Sequence, residues 1–187
     1  YYIEIPVYYN MFAGDFDGDH YFDTGFNLIM VPDPESNYGY GIVVGKRLEQ
    51  ASFEFGYVQS SHDYTFVDHQ DKMTLSLFLM GGKAFFTKNK LIQPYISFEF
   101  AVAYLKVQNG AITEIEPFVF EDTSYLGLTL GAGGGISLHP LPPVSLNIGA
   151  VFSWLTFGSV KVGGERYKLE SLNSFNFNLR AGLSYTF

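Results

Sequence analysis

The sequence predicts an all-β fold: an antiparallel, up-and-down transmembrane β-barrel of eight strands, built as one domain over residues 1–187. Three observations predict it. First, the segment 175–187 alternates without a break. Phe175, Phe177, Leu179, Ala181, Leu183, Tyr185 and Phe187 take the odd positions, and Asn176, Asn178, Arg180, Gly182, Ser184 and Thr186 the even ones. Successive side chains of a strand leave by opposite faces, so this is one strand with an oily and a wet face. It exceeds the roughly 9–11 residues a tilted strand needs to cross a bilayer. Second, apolar residues make up 47% of the chain, aromatics 18% and charged residues only 16%. Yet no apolar run reaches the roughly 18 residues of a membrane helix, and this spread-out hydropathy is what a membrane barrel shows. Third, the connectors alternate long and short when counted back from the C-terminus, as in barrels with turns at one end and loops at the other.

The elements follow in order. A first strand is expected at about 21–31, with Phe26, Leu28 and Met30 on its oily face, ended by Val31-Pro32-Asp33-Pro34. The second, about 38–48, sets Tyr38, Tyr40, Ile42 and Val44 against Gly39, Gly41, Val43, Gly45 and Arg47. A tight turn at Glu49-Gln50 leads to the third, about 51–61, where Phe53, Phe55 and Tyr57 oppose Ser52, Glu54, Gly56 and Val58. A polar loop covers 61–72. The fourth strand, about 73–86, shows Leu75, Leu77 and Leu79 outward. Lys83 then falls on the oily parity, which suggests a bulge near Gly81-Gly82. After a turn at 87–93, the fifth strand, about 94–107, turns Ile96, Phe98, Phe100, Val102 and Tyr104 outward and Glu99 inward. An acidic loop spans 108–123. The sixth strand, about 124–138, alternates leucines (Leu126, Leu128, Leu130) with glycines, and His139-Pro140-Leu141-Pro142-Pro143 is a turn. The seventh, about 144–157, carries Leu146, Ile148, Phe152 and Trp154 outward. After Gly163-Gly164 the eighth strand closes the chain. Phe85, Tyr185 and Phe187 are expected in an aromatic girdle at the short-turn end, and Tyr57, Tyr104 and Trp154 in one at the other end.

The competing fold is a soluble β-sandwich or lipocalin-like barrel, since any half-buried strand alternates. Here, however, bulky Phe and Leu recur on one face of nearly every strand. The other face is Gly, Ser, Thr and Asn with few Lys or Glu, which suits the crowded lumen of a narrow barrel better than a solvated surface.

Composition narrows the function. There is no cysteine, hence no disulfide scaffold, thiolate metal site or cysteine nucleophile. The net charge of −8 argues against nucleic acid as a partner. No secretory leader is visible ahead of Tyr1, so a mature or trimmed chain is expected.

The last strand, with its terminal Phe187, the aromatic Tyr185 two residues before it and apolar residues at alternate positions, resembles the closing strand of bacterial outer-membrane β-barrels. The chain as a whole is similar to the small eight-stranded members of that group: OmpA transmembrane-domain-like, OmpX-like and OmpW-like barrels. The resemblance implies a place in the bacterial outer membrane, contact with its lipid and lipopolysaccharide, and recognition of the C-terminal strand by the barrel-assembly machinery. It also implies a polar lumen plug. The inward charges Arg47, Glu54, Glu99 and Arg180 are expected to pair there, because an unpaired buried charge is costly.

Two functions are open. One is a structural or adhesive role through the outer loops, especially Glu114-Ile115-Glu116-Pro117-Phe118-Val119-Phe120-Glu121-Asp122, over a closed or very narrow lumen. The other is an OmpW-like conduit for small apolar solutes, for which Val43, Val58, Phe78, Met80 and Val151 are expected to project inward. Eight strands leave no wide channel, so a general porin is not expected.

Near the N-terminus, Asp15, Asp17, Asp19 and Asp23 stand at spacings that can wrap calcium with oxygen ligands. The stretch resembles the calcium loop of FG-GAP or VCBS repeats, with His20 in place of a usual glycine. The preceding Ile3-Glu4-Ile5-Pro6-Val7-Tyr8-Tyr9 can itself form a strand, leaving residues 1–20 open as strand, plug or tail. Catalysis is not expected. The pairs in Ser61-His62-Asp63 and Asp68-His69-Gln70-Asp71 lie in a loop, larger omptin barrels place His and Asp at the outer rim, and the late histidine, His139, sits in a turn before proline.

Overall fold

A computed structural model describes residues 1–16, 21–23, 28–66, 69–87, 91–115 and 118–187 of the chain. Among the described residues there are ten strands: β1 (Tyr2–Gly14), β2 (Tyr21–Asp23), β3 (Leu28–Met30), β4 (Asn37–Arg47), β5 (Ala51–Phe66), β6 (His69–Phe85), β7 (Ile92–Ile115), β8 (Phe118–Leu141), β9 (Val144–Val162) and β10 (Glu165–Thr186). Eight of them form a closed antiparallel ring in the order β1-β4-β5-β6-β7-β8-β9-β10 and back to β1, with β2 and β3 hung on the far end of β7. Closure leaves no free edge in the belt, where each ring strand is paired on both sides.

Registers fix the stagger. Starting at Tyr2, partners run through Gly45, Glu54, Gly81, Glu99, Gly131, Ser153 and Asn176 and return to β1 at Phe12. The ring therefore closes ten residues further along β1, the stagger that tilted strands need to close a barrel.

The first barrel strand is not the one expected. Tyr2–Gly14 takes that place, because its own period of two offers Ile3, Ile5 and Val7 outward and Tyr2, Glu4 and Tyr8 inward, and it finds partners on both sides. The expected strand at 21–31 supplies only the short β2 and β3, with residues 24–27 outside the described set. The strand count of eight is unchanged because one segment replaces the other.

The apolar face switches sides along the strands. In the half nearer the short turns, every ring strand shows an oily outer surface: Ile5, Ile42, Phe55, Phe78, Phe98, Leu128, Phe152 and Leu179 are all exposed. Higher up, the outer face turns polar, with Ser61, Asp63, Lys106, Gln108 and Lys161 exposed. There the inner face becomes a packed apolar core, including Tyr64, Met73, Leu75, Leu105, Val107, Tyr125, Phe157, Val160 and Val162. An exposed apolar belt of this extent marks a membrane-facing surface. Above it, the same strands behave as a water-exposed barrel.

Four expectations are overturned, the first of them by that switch. The polar stretches 61–72 and 108–123 are strand for most of their length, because alternate residues such as His62, Tyr64, Ala111 and Ile112 are buried in the upper core. On β6, Leu75 and Leu79 point inward, being 2% and 6% exposed, while Phe78 and Met80 point outward at 58% and 50%. No bulge occurs at Gly81-Gly82, since pairing with β5 and β7 is continuous through it. Lys83 faces inward because the whole odd face of β6 does. Likewise Phe85 lies inside rather than in a girdle. Tyr185 and Phe187 are exposed at the short-turn end. Tyr104 and Trp154 are exposed towards the other, where Tyr57 tips its hydroxyl onto Gln59 and Ser76 at 3.0 and 3.1 Å.

Candidate functional site

The inward faces of five strands bring charge together in the membrane-level lumen. Glu4 comes from β1, Glu54 from β5, Lys83 from β6, Glu99 from β7 and Arg180 from β10. Arg180 donates Nε and Nη2 to Glu4 Oε1 at 3.1 and 2.6 Å, and Nη1 to Glu99 Oε1 at 2.9 Å. Lys83 Nζ lies 3.0 Å from Glu4 Oε2 and 2.8 Å from Glu54 Oε1. The Tyr2 hydroxyl donates to Glu54, and Asn147 Nδ2 donates to Glu4 Oε2 at 2.8 Å. Glycine makes room for this: a Cβ at Gly182 would stand 2.5 Å from Glu4 Oε1. Each buried charge thus meets an opposite charge and hydrogen-bonding partners, the condition under which buried ions are tolerated.

Of the four lumen charges expected from sequence, Glu54, Glu99 and Arg180 meet here. Arg47 does not. It sits at the short-turn mouth, its guanidinium 3.9 Å from the Phe85 ring centroid and hydrogen-bonded to Gln93. Glu4 and Lys83 were missed. Glu4 lies in the N-terminal segment whose place as strand, plug or tail the sequence leaves open, and Lys83 on a face whose parity reads as oily.

A packed apolar layer lies above the charges. Phe16, Ile29 and Val31, from the segment joining β1 to β4, are buried in the upper core with Tyr125, Leu155 and Phe157. His62 anchors this segment: its Nδ1–H donates to the Glu35 carbonyl at 2.8 Å, and Nε2 accepts from Ser60 Oγ at 2.8 Å. Its ring meets Phe12 edge-on at 4.9 Å. Burial pushes the His62 imidazole below its ordinary pKa, so it sits there neutral. Asp63, next along β5, is exposed on the opposite face, so these two form no imidazole–carboxylate pair. Asp68 and the His69 side chain lie outside the described residues. For the conduit, Val43, Val58 and Val151 do project inward, but Phe78 and Met80 do not.

The acidic stretch is only partly described. Asp15 spends its carboxylate on the backbone N–H of Asn173, accepting at 2.8 Å. Asp17, Asp19 and the Asp23 side chain lie outside the described residues, and no metal-ligating cluster occurs among the described ones.

The closed ring, its oily belt and its polar lumen decide the architecture. This is the fold of a small outer-membrane β-barrel. Neisserial surface protein A carries it too: its crystal structure matches the barrel over 100% of this chain and 96% of that one, with a TM-score of 0.63 at 16% identity. Ail, the attachment invasion locus protein of Yersinia pestis, aligns over 98% and 97% of the two chains with a TM-score of 0.46 at 12% identity. The N-terminal barrel domain of Pseudomonas aeruginosa OprF aligns over the same shares with a TM-score of 0.44 at 15% identity. No protein-family model and no curated protein sequence matches the chain. The barrel's belt places it in a membrane, and its fold is that of outer-membrane proteins.

Proposed function

We propose that this barrel is a non-catalytic surface protein of the bacterial outer membrane, sealed to solutes, that presents its long strand extensions to partners outside the cell. The observation that carries this reading is the double closure of the lumen, by the Glu4–Lys83–Glu54–Arg180–Glu99 cluster below and the apolar core above. A conduit for apolar solutes needs an open apolar path, and both levels are filled.

The extensions suit a display role. β7 and β8 run well past the belt and pair to Ile115↔Phe118, and an internal core holds them without help from lipid. Their flanks carry exposed polar residues such as Lys106 and Asp122, paired at 2.9 Å, a surface of a kind that suits the polar headgroups of lipopolysaccharide. The C-terminal strand, ending in Phe187, is the segment offered to the assembly machinery.

The test is single-channel recording of the refolded chain in planar bilayers. A sealed barrel gives a silent trace. Reproducible conductance steps from the wild-type chain would replace this reading with the conduit.

A further inference from the structure

At the short-turn end the lumen widens into a bowl of about 400 Å³. Arg47, Glu49, Gln93, His139 and Thr186 supply its polar groups, and Pro142 and Val144 an apolar wall. Arg47 is held in place before any ligand arrives, stacked on Phe85 and tied by Nη2 to Gln93 Oε1. The same Gln93 oxygen lies 3.0 Å from His139 Nε2, which is also 3.1 Å from Ser137 Oγ. The bowl is blind, because it narrows to a slot between Tyr2, Lys83 and Asn147 beneath the charge cluster.

The lumen carboxylates pair with Lys83 and Arg180, and among the described residues none reaches Arg47 within ion-pair distance. A half-buried guanidinium without a counter-ion is a costly arrangement that an anion relieves. The guanidinium fork matches a planar oxyanion through two parallel N–H donors. Because stacking and the Gln93 bond already fix the side chain, little rotamer entropy remains to be lost on binding.

We propose that this bowl is a binding site for a small oxyanion from the periplasmic side, a carboxylate or phosphate carried on a short apolar group, with Arg47 as the principal contact. Short turns face the periplasm in barrels of this fold. The site is separate from the outer extensions and does not depend on what they touch.

The test uses the refolded full chain in detergent micelles, titrated by calorimetry with N-acetyl-alanyl-alanine, with its C-terminal amide and with inorganic phosphate. The free acid or phosphate binds and the amide does not; whichever of the two binds more tightly identifies the preferred group. Arg47→Gln weakens binding by about tenfold or more while the thermal unfolding midpoint stays in place. Arg47→Lys, which keeps the charge and loses the fork, covers the case in which Arg47→Gln fails to refold, and it too binds more weakly. Binding of neither anion, equal binding of acid and amide, or wild-type affinity in the Arg47 variants would overturn the proposal.

Discussion

Arg180 reaches a single oxygen of Glu4 through two of its nitrogens, and in doing so ties the last strand of the ring to the first. It also holds Glu99 from the opposite wall. Replacing Arg180 with Met leaves Glu4 and Glu99 short of a counter-charge in a buried site, a change that typically costs about 3–5 kcal/mol. The double variant Glu4→Gln with Arg180→Met removes charge of both signs and is expected to lose less. Urea unfolding in micelles measures both. An equal or larger loss in the double variant would mean that the pair is not what holds the seam.

The outer face of β10 is expected to meet lipid. Leu179 is 48% exposed in the middle of the belt, so Leu179→Arg should cost about 2–4 kcal/mol near the midplane and depress folding into vesicles. Asn178→Ala should be mild. Its side-chain oxygen is buried without a hydrogen-bond partner, so its loss removes no bond to that atom. Folding yield into lipid vesicles, read by the gel shift between folded and heated chain, distinguishes the two.

Much of the barrel was legible in the sequence because the membrane imposes a simple rule on it. Where lipid touches the strands, alternate residues must be apolar, and Phe53, Phe55, Phe98 and Leu179 announce their face directly. The same rule misleads above the belt. There water lies outside and the core inside, so Leu75 turns to the inner face; Leu79 follows the same parity into the lumen below, between Phe78 and Met80 of the belt, and Lys83 looked misplaced when it was in step. A period of two identifies a strand but not the side on which its solvent changes. Glu4 was hidden for a different reason: two N-terminal segments competed for one place in the ring, and the deciding contacts with β10 and β4 are long-range. The separation of Arg47 from the other charges rests on its height along β4, which a face assignment alone does not give.

The inversion on β6 makes a stability prediction. Leu75→Ala opens a hole in the upper core and is expected to cost about 2–5 kcal/mol. Thr74→Ala, on the half-exposed outer face one residue away, should fall within about 0.5 kcal/mol of wild type. Denaturant midpoints of the two variants in micelles give the comparison, and a tolerant Leu75 would place that residue outside the core.

His62 should make the upper barrel sensitive to acid. Burial lowers its pKa in the folded chain, whereas in the unfolded chain it titrates near its ordinary value of about 6.5. The unfolded state therefore takes up the proton first. The contribution is complete above about pH 6.5 and is lost as pH falls from there towards the depressed folded value. Unfolding midpoints at stepped pH should drop across this window in wild type and less so in His62→Gln. An unchanged slope in the variant would assign the acid sensitivity to other groups.

The apolar face crosses from outside to inside at the edge of the membrane, and spin labels along β6 can locate the crossing. Because the chain has no cysteine, nitroxides can be placed singly along β6 at introduced cysteines in the barrel reconstituted in lipid. Relaxation by oxygen, which concentrates in the bilayer, and by a water-soluble nickel complex then reports each position's surroundings. Positions 78, 80 and 82 should respond to oxygen, positions 72 and 74 to nickel, and positions 75, 79 and 83 to neither. Strong oxygen accessibility at 75 and 79, with protection at 78 and 80, would contradict the account.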